Sequence, residues 1–188
     1  MDKPKLFIPG PTHVDPDLLA SLAEYPVGHR SAQFSELYDE VVDGVQKVLF
    51  TSNRILLGTC SATGLMEAAV RNTVQKRCAN FVCGAFSKRW HEVTAACGIE
   101  CDSISVELGR ATKPEAVREA LETGRYDAIT VVHNETSTGV MNPIAEIAEV
   151  VREFSDVVIL VDMVSSMASV KLEIDELGID VALASVQK

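Results

Sequence analysis

The feature that most constrains this chain is a succession of short apolar runs rich in branched residues, spaced by segments of helical period. The runs are Ile55-Leu56-Leu57, Phe81-Val82, Ile104 to Val106, Ile129 to Val132, Val157 to Val161 and Val181 to Leu183. Runs this short and this continuous suit strands buried on both faces. Between them, helices are predicted from about Gly64 to Val74 and from Lys88 to Cys97, with two more after Lys113-Pro114 and Asn142-Pro143, where proline fits a first helical turn. Strand and helix in alternation predict an α/β architecture, a mostly parallel sheet with helices on both faces. Ligands of such sheets bind beyond the carboxyl ends of the strands, so the chemistry should follow each apolar run.

The segment before the first run is different. Pro4, Pro9, Pro11 and Pro16 fix φ and lack a donor, so residues 1–20 read as an extended arm lying across another surface. From Gln33 to Phe50 the apolar positions Phe34, Leu37, Val41, Val45, Val48 and Leu49 recur every three or four residues, which predicts a long helix. No apolar leader or membrane-length run is present, so a cytoplasmic protein without a membrane partner is expected. The formal net charge of -10 disfavours a nucleic-acid partner. Five cysteines without a C-x-x-C pair indicate neither a disulfide framework nor a metal cluster, and most should be small buried apolar residues.

Three strand ends carry candidate chemistry. After Ile55-Leu56-Leu57 comes Gly58-Thr59-Cys60-Ser61-Ala62-Thr63-Gly64, small and hydroxyl-rich and opening a helix, a composition suited either to an anion site or to an ordinary N-cap. Asp162 ends the run Val157 to Val161, where a carboxylate either caps the next turn or faces a cationic partner such as a protonated ring nitrogen. Lys188 follows the last run, and partial desolvation there favours a nucleophilic amine, the alternative being a solvated strand-end lysine. Trp90 reads as a half-buried anchor. His133 and Glu135 read as structural hydrogen-bonding residues.

In order along nearly the whole chain, several motifs resemble the class V aminotransferases. They are Pro9-Gly10-Pro11-Thr12, Gly28-His29-Arg30-Ser31, Ser61-Ala62-Thr63 with Met66-Glu67, and Phe86-Ser87-Lys88-Arg89-Trp90. They continue through His133-Asn134-Glu135-Thr136-Ser137-Thr138-Gly139-Val140, Asn142-Pro143, Val161-Asp162-Met163-Val164-Ser165-Ser166 and Gln187-Lys188. The branch they resemble contains the alanine-glyoxylate, serine-glyoxylate and serine-pyruvate aminotransferases.

The resemblance implies the type I fold of pyridoxal-phosphate-dependent transferases, with residues 21–188 as an incomplete large domain. It implies transamination between alanine or serine and glyoxylate or pyruvate by a ping-pong cycle, in a homodimer. Residue by residue, it implies Lys188 as the Schiff-base lysine and Asp162 as the partner of the pyridine nitrogen. Ser61, Ala62 and Thr63 would hold the phosphate with help from Gln187. Trp90 and Val164 would lie on opposite ring faces, and Ser137, or less favourably Thr136, would bond the phenolic oxygen. No metal is implied.

Ala62 and Cys60 stand where the family pattern has glycine, so the loop must run through ordinary dihedrals at Ala62. Ser185-Val186 likewise replaces Gly-Ser before Gln187-Lys188. Because family members continue for about as much again, a longer parent polypeptide is expected. Rival readings are a phosphonate or phosphoserine aminotransferase, a cysteine desulfurase or lyase, and a non-catalytic subunit that keeps the fold. Gln187 and Trp90, where desulfurases have histidine, argue against the desulfurase.

Overall fold

Side chains alternate across a parallel strand, and in this chain the alternation divides the apolar residues between two separate cores. A computed structural model describes residues 4–188, so residues 1–3 of the expected arm lie outside the described residues. The elements in chain order are α1 (Pro16–Ser21), α2 (Ala32–Leu49), α3 (Ala62–Thr73), β1 (Cys78–Val82), α4 (Ala85–Ala96), β2 (Cys101–Ser105) and α5 (Pro114–Leu121). They continue with β3 (Ala128–Val132), β4 (Asn134–Glu135), β5 (Val140–Met141), α6 (Ile144–Val151), β6 (Val158–Asp162), α7 (Ile174–Leu177) and β7 (Val181–Leu183). The main sheet has the order β2-β1-β3-β6-β7 and every pairing in it is parallel. The predicted α/β class is therefore the observed one.

On β1, β3 and β6, Ala79, Phe81, Ile129, Val131, Ile159 and Val161 point to one face. There they meet Val117, Ala120 and Leu121 of α5, Ile144, Ile147, Ala148 and Val151 of α6, and Ile174 of α7. Leu160 and Leu183 point to the other face, against Met66, Ala69 and Val70 of α3 and Trp90 of α4. On that second face Asn80 donates to Thr94 Oγ1 (3.2 Å) and Thr130 Oγ1 (2.8 Å), so its buried amide is satisfied across two strands and a helix. By the same period Asp162, two residues past Leu160, turns toward the α3 and α4 side at the carboxyl end of β6.

Four expectations are corrected. Ile55-Leu56-Leu57 forms no strand; Leu56 is 79% exposed, and no strand of the described sheet lies beside the run to pair its backbone. Within the expected arm, residues 16–21 are helical, started by Asp15, whose carboxylate accepts from Asp17 N at 3.0 Å, with Pro16 at the first turn. β2 is an edge strand, open to solvent along part of its length rather than buried on both faces. Of the five cysteines only Cys78 and Cys83 are buried, while Cys60 is exposed.

The loop after α2 is tied down by Asp175 of α7, which accepts from Ser52 N (2.8 Å), Ser52 Oγ (2.8 Å), Asn53 Nδ2 (2.9 Å) and Thr51 Oγ1. No described helix is long and apolar enough to cross a membrane.

Candidate active site

The carboxyl ends of β3, β6 and β7, the N-termini of α3 and α4, and the arm at Pro9-Gly10-Pro11 surround a cavity of about 550 Å³. Both Asp162 and Lys188 line it. This is the place that parallel-sheet topology reserves for a ligand.

Asp162 is 3% exposed, and among the described residues its only donor is Val164 N, at 2.7 Å to Oδ1. Burial pushes its pKa up to about 6, against the hydrogen bond from Val164 and the nearby Lys188 ammonium, which act in the opposite direction. A buried carboxylate so lightly partnered is a receptor for a cation. Lys188 Nζ donates to Thr136 Oγ1 at 2.7 Å and lies 4.9 Å from the centre of the Phe86 ring. The arm closes over this lysine: Thr12 N donates to Gln187 O at 3.1 Å, and a Cβ on Gly10 would stand 2.8 Å from Lys188 Cγ. Gly10 also has φ +115°, so both space and backbone demand glycine there.

At the opposite wall, α3 begins at Ala62 after Ser61, whose side chain makes no cap hydrogen bond. The first-turn N–H groups and the Ser61 and Thr63 hydroxyls thus face the cavity at a helix N-terminus, the arrangement that binds anions. Ala62 takes ordinary dihedrals, as expected of a residue other than glycine. Val164 and Gln187 also line the cavity.

Two assignments change. Trp90 does not reach the cavity. It is fully buried among Met66, Val70, Leu160 and Val164, with Nε1 donating to Met66 O at 3.3 Å. Helical phase explains this, because Trp90 shares a face with Ser87 and Thr94, all buried, while Phe86 and Arg89 fall on the cavity side. Phe86, 41% exposed, is the aromatic residue of the wall. It stood within the quoted motif; what sequence lacked was the residue at which α4 begins.

The second change concerns Ser137. It lines the cavity, but its hydroxyl donates to Glu135 Oε1 at 2.7 Å and accepts from Ala85 N at 2.9 Å. Its proton is spent. Thr136 Oγ1 gives its proton to no acceptor among the described residues, so Thr136 is the better placed donor.

His133 is buried, its Nδ1 3.0 Å from Ser166 Oγ, and burial holds its pKa below the ordinary value. Among the described residues, no group of His, Cys, Asp and Glu has the arrangement of a metal site.

Over 191 residues the chain is 39% identical to an uncharacterized aminotransferase of Methanocaldococcus jannaschii, covering 99% of this chain and 49% of the relative. It is 33% identical to a serine–glyoxylate aminotransferase of Methylorubrum extorquens, covering 97% of this chain and 47% of that protein. The crystal structure of an alanine–glyoxylate aminotransferase from Nostoc sp. superposes with a TM-score of 0.92 at 33% identity, covering 100% of this chain and 51% of the other. The chain thus spans about half the length of the relatives it matches. A family model for class-V aminotransferases matches residues 6–188, and the chain belongs to that pyridoxal-phosphate-dependent family.

Proposed function

We propose that the cavity holds pyridoxal phosphate and that the chain carries the cofactor-binding part of an enzyme moving an amino group from a small amino acid, alanine or serine, to a 2-oxo acid, glyoxylate or pyruvate. The observation that carries this reading is the meeting in one cavity of a buried, under-partnered carboxylate, a lysine amine and a helix N-terminus. These are the three groups that a phosphorylated pyridine aldehyde requires, so the residues present fit the cofactor.

When bound, the cofactor supplies an electron sink for the bonds at the substrate Cα. Asp162 would accept the pyridine N–H, and the cationic ring would offset the burial that raises its pKa. The N–H groups and hydroxyls of Ser61, Ala62 and Thr63 hold the phosphate, with Gln187 as a further donor. Val164 and Phe86, both in the cavity wall, would confine the ring, and the Thr136 hydroxyl would donate to its phenolic oxygen. Lys188 Nζ would hold the aldehyde group of the cofactor and, as a free amine, would serve as the base for the proton at the substrate Cα. Two such half-reactions, one for each substrate, make a ping-pong cycle. The choice of substrates is supported by the names of the serine–glyoxylate and alanine–glyoxylate relatives.

Residues 21–188 form, in this reading, part of a large domain that further sequence completes, since the relatives are about twice as long. The protein acts as a cytoplasmic homodimer. The exposed apolar residues of α1 and α2, among them Leu18, Leu19, Leu37 and Val41, support a partner surface. Light scattering that returned a cofactor-loaded monomer would remove the dimer.

Borohydride reduction followed by peptide mapping tests the central claim. A phosphopyridoxyl mass is expected on Lys188 and on no other lysine. Its absence from Lys188 rejects the assignment, and a panel of amino donors against glyoxylate and pyruvate then decides the substrates.

A further inference from the structure

Glu135 is fully buried behind the cavity wall, and the proposed chemistry uses it as neither acid nor base. Its carboxylate accepts from Phe86 N (3.2 Å), Ser87 N (2.9 Å), Ser87 Oγ (2.9 Å), Ser137 N (3.2 Å) and Ser137 Oγ (2.7 Å). Phe86 N and Ser87 N belong to the first turn of α4, where backbone N–H groups have no acceptor within the helix. The residue at the cap of α4 is Gly84, which has no side chain to offer, and Glu135 reaches in from β4 to take its place. A Cβ on Gly84 would stand 2.4 Å from Glu135 Cγ and 2.6 Å from both Cδ and Ser137 Oγ, so the glycine makes room for this carboxylate. Burial acts to raise the pKa of Glu135, but the hydrogen bonds from Ser87, Ser137 and Phe86 outweigh it and hold the group below the ordinary range. The carboxylate is therefore ionised, with its charge at the positive end of the α4 dipole.

The residues on either side of this clamp are the ones in contact with the lysine amine. Phe86, held through its own N–H, has its ring 4.9 Å from Lys188 Nζ. Thr136, between Glu135 and Ser137, accepts from the same Nζ at 2.7 Å. We propose that Glu135 is a positioning residue: by locking the first turn of α4 to the β4–β5 hairpin, its carboxylate sets Phe86 and Thr136 at the places from which they confine the cofactor ring and Lys188. This inference rests on the cofactor reading of the cavity.

Glu135→Gln tests it in the purified holoprotein. The amide keeps the volume but turns an acceptor toward N–H groups into a donor, so the clamp opens without leaving a void. The expected result is a far-UV spectrum like that of the wild type, a diminished visible circular dichroism of the bound cofactor, and a kcat lowered on the order of 10²-fold with KM little changed. Combined with Phe86→Leu, the two substitutions should be less than multiplicative, because the ring that Glu135 places is already gone.

Wild-type visible dichroism and kcat in Glu135→Gln, or effects of the two substitutions that multiply independently, would overturn the proposal. Should Glu135→Gln fail to fold, Ser87→Ala keeps the charge and removes the hydroxyl bond to Glu135 together with the acceptor of Cys83 N and Gly84 N. It should show the same spectral change to a smaller degree, and an unaltered spectrum there would equally overturn it. If the wild type itself takes no cofactor on Lys188, the cofactor reading and this inference fall together; if only the variants behave as wild type, the inference falls alone.

Discussion

Two regions of this chain carry equally clear apolar periodicity and meet different fates. In β1, β3 and β6 nearly every apolar residue is buried by α3 to α7 on one face of the sheet or the other. In α2 the stripe of Leu37, Val41 and Val48 recurs with helical period, yet the helix has no buried residue, and those three side chains are 40–47% exposed. The difference teaches that periodicity predicts which face of an element is to be covered, while burial depends on another element being there to cover it. The cavity belongs to the first region. α2 is tied to the rest at its C-terminal end, through the packing of Leu49 on the core and the hydrogen bonds of Asp175 to the loop that follows it.

Like-for-like truncation should separate the regions most sharply. Ile159→Ala, at a 1% exposed core position, is expected to lower unfolding free energy by about 2–5 kcal/mol, read from denaturant midpoints. Leu37→Ala in α2 should stay within about 0.5 kcal/mol. A Leu37→Ala effect as large as that of Ile159→Ala would break the comparison, by revealing that α2 is covered in solution.

Asp162 sharpens it from within the ordered region, where burial is unfavourable for a carboxylate. Its folded pKa, about 6, is above its ordinary 3.8, so the folded state binds the proton more tightly and stability falls as pH rises between those values. Asp162→Asn should therefore stabilise the cofactor-free protein by about 3 kcal/mol above pH 6, with the gain vanishing near pH 4. Thermal melts across that range check it, and a pH-independent difference would refute it. The same substitution should weaken cofactor binding, since the site's receptor for a cation is lost.

A smaller effect separates the two aromatics of α4. Trp90→Phe should lose about 1 kcal/mol with the hydrogen bond to Met66 O, and leave the bound-cofactor spectrum as it was. Phe86→Leu should alter that spectrum at little loss of stability. The reverse pattern would restore Trp90 to the cavity.

Least of all, Ser31→Ala removes the side-chain acceptor of Phe34 N at the start of α2. We expect a stability loss of about 1 kcal/mol or less, read from denaturation followed by circular dichroism, with the cavity unaffected.

Much of this was legible in the sequence, for reasons that differ by residue. The five strands of the main sheet and α3 to α6 follow from local pattern, because branched apolar runs and prolines at first turns act over a few residues. Asp162 and Lys188 could be placed together because parallel topology sends the ends of neighbouring strands to one side. The β4–β5 hairpin, α7 and the α1 turn were too short to leave a periodic signal. Ile55-Leu56-Leu57 shows the opposite failure, a strand-like run whose pairing depends on a neighbour that local pattern cannot supply.

By itself, then, the sequence determined the alternation of elements, the parallel sheet and the order in which the chemically useful groups come to its edge. Those follow from interactions between near neighbours in the chain. Only the tertiary structure decided that Phe86 and not Trp90 faces the cavity, that Thr136 and not Ser137 keeps a free hydroxyl proton, and that Glu135 caps a helix 49 residues before it. Each turns on the phase of one helix or on which of two hydroxyls a distant carboxylate captures. Those outcomes are set by contacts across the fold, where a shift of one residue exchanges the inside for the outside.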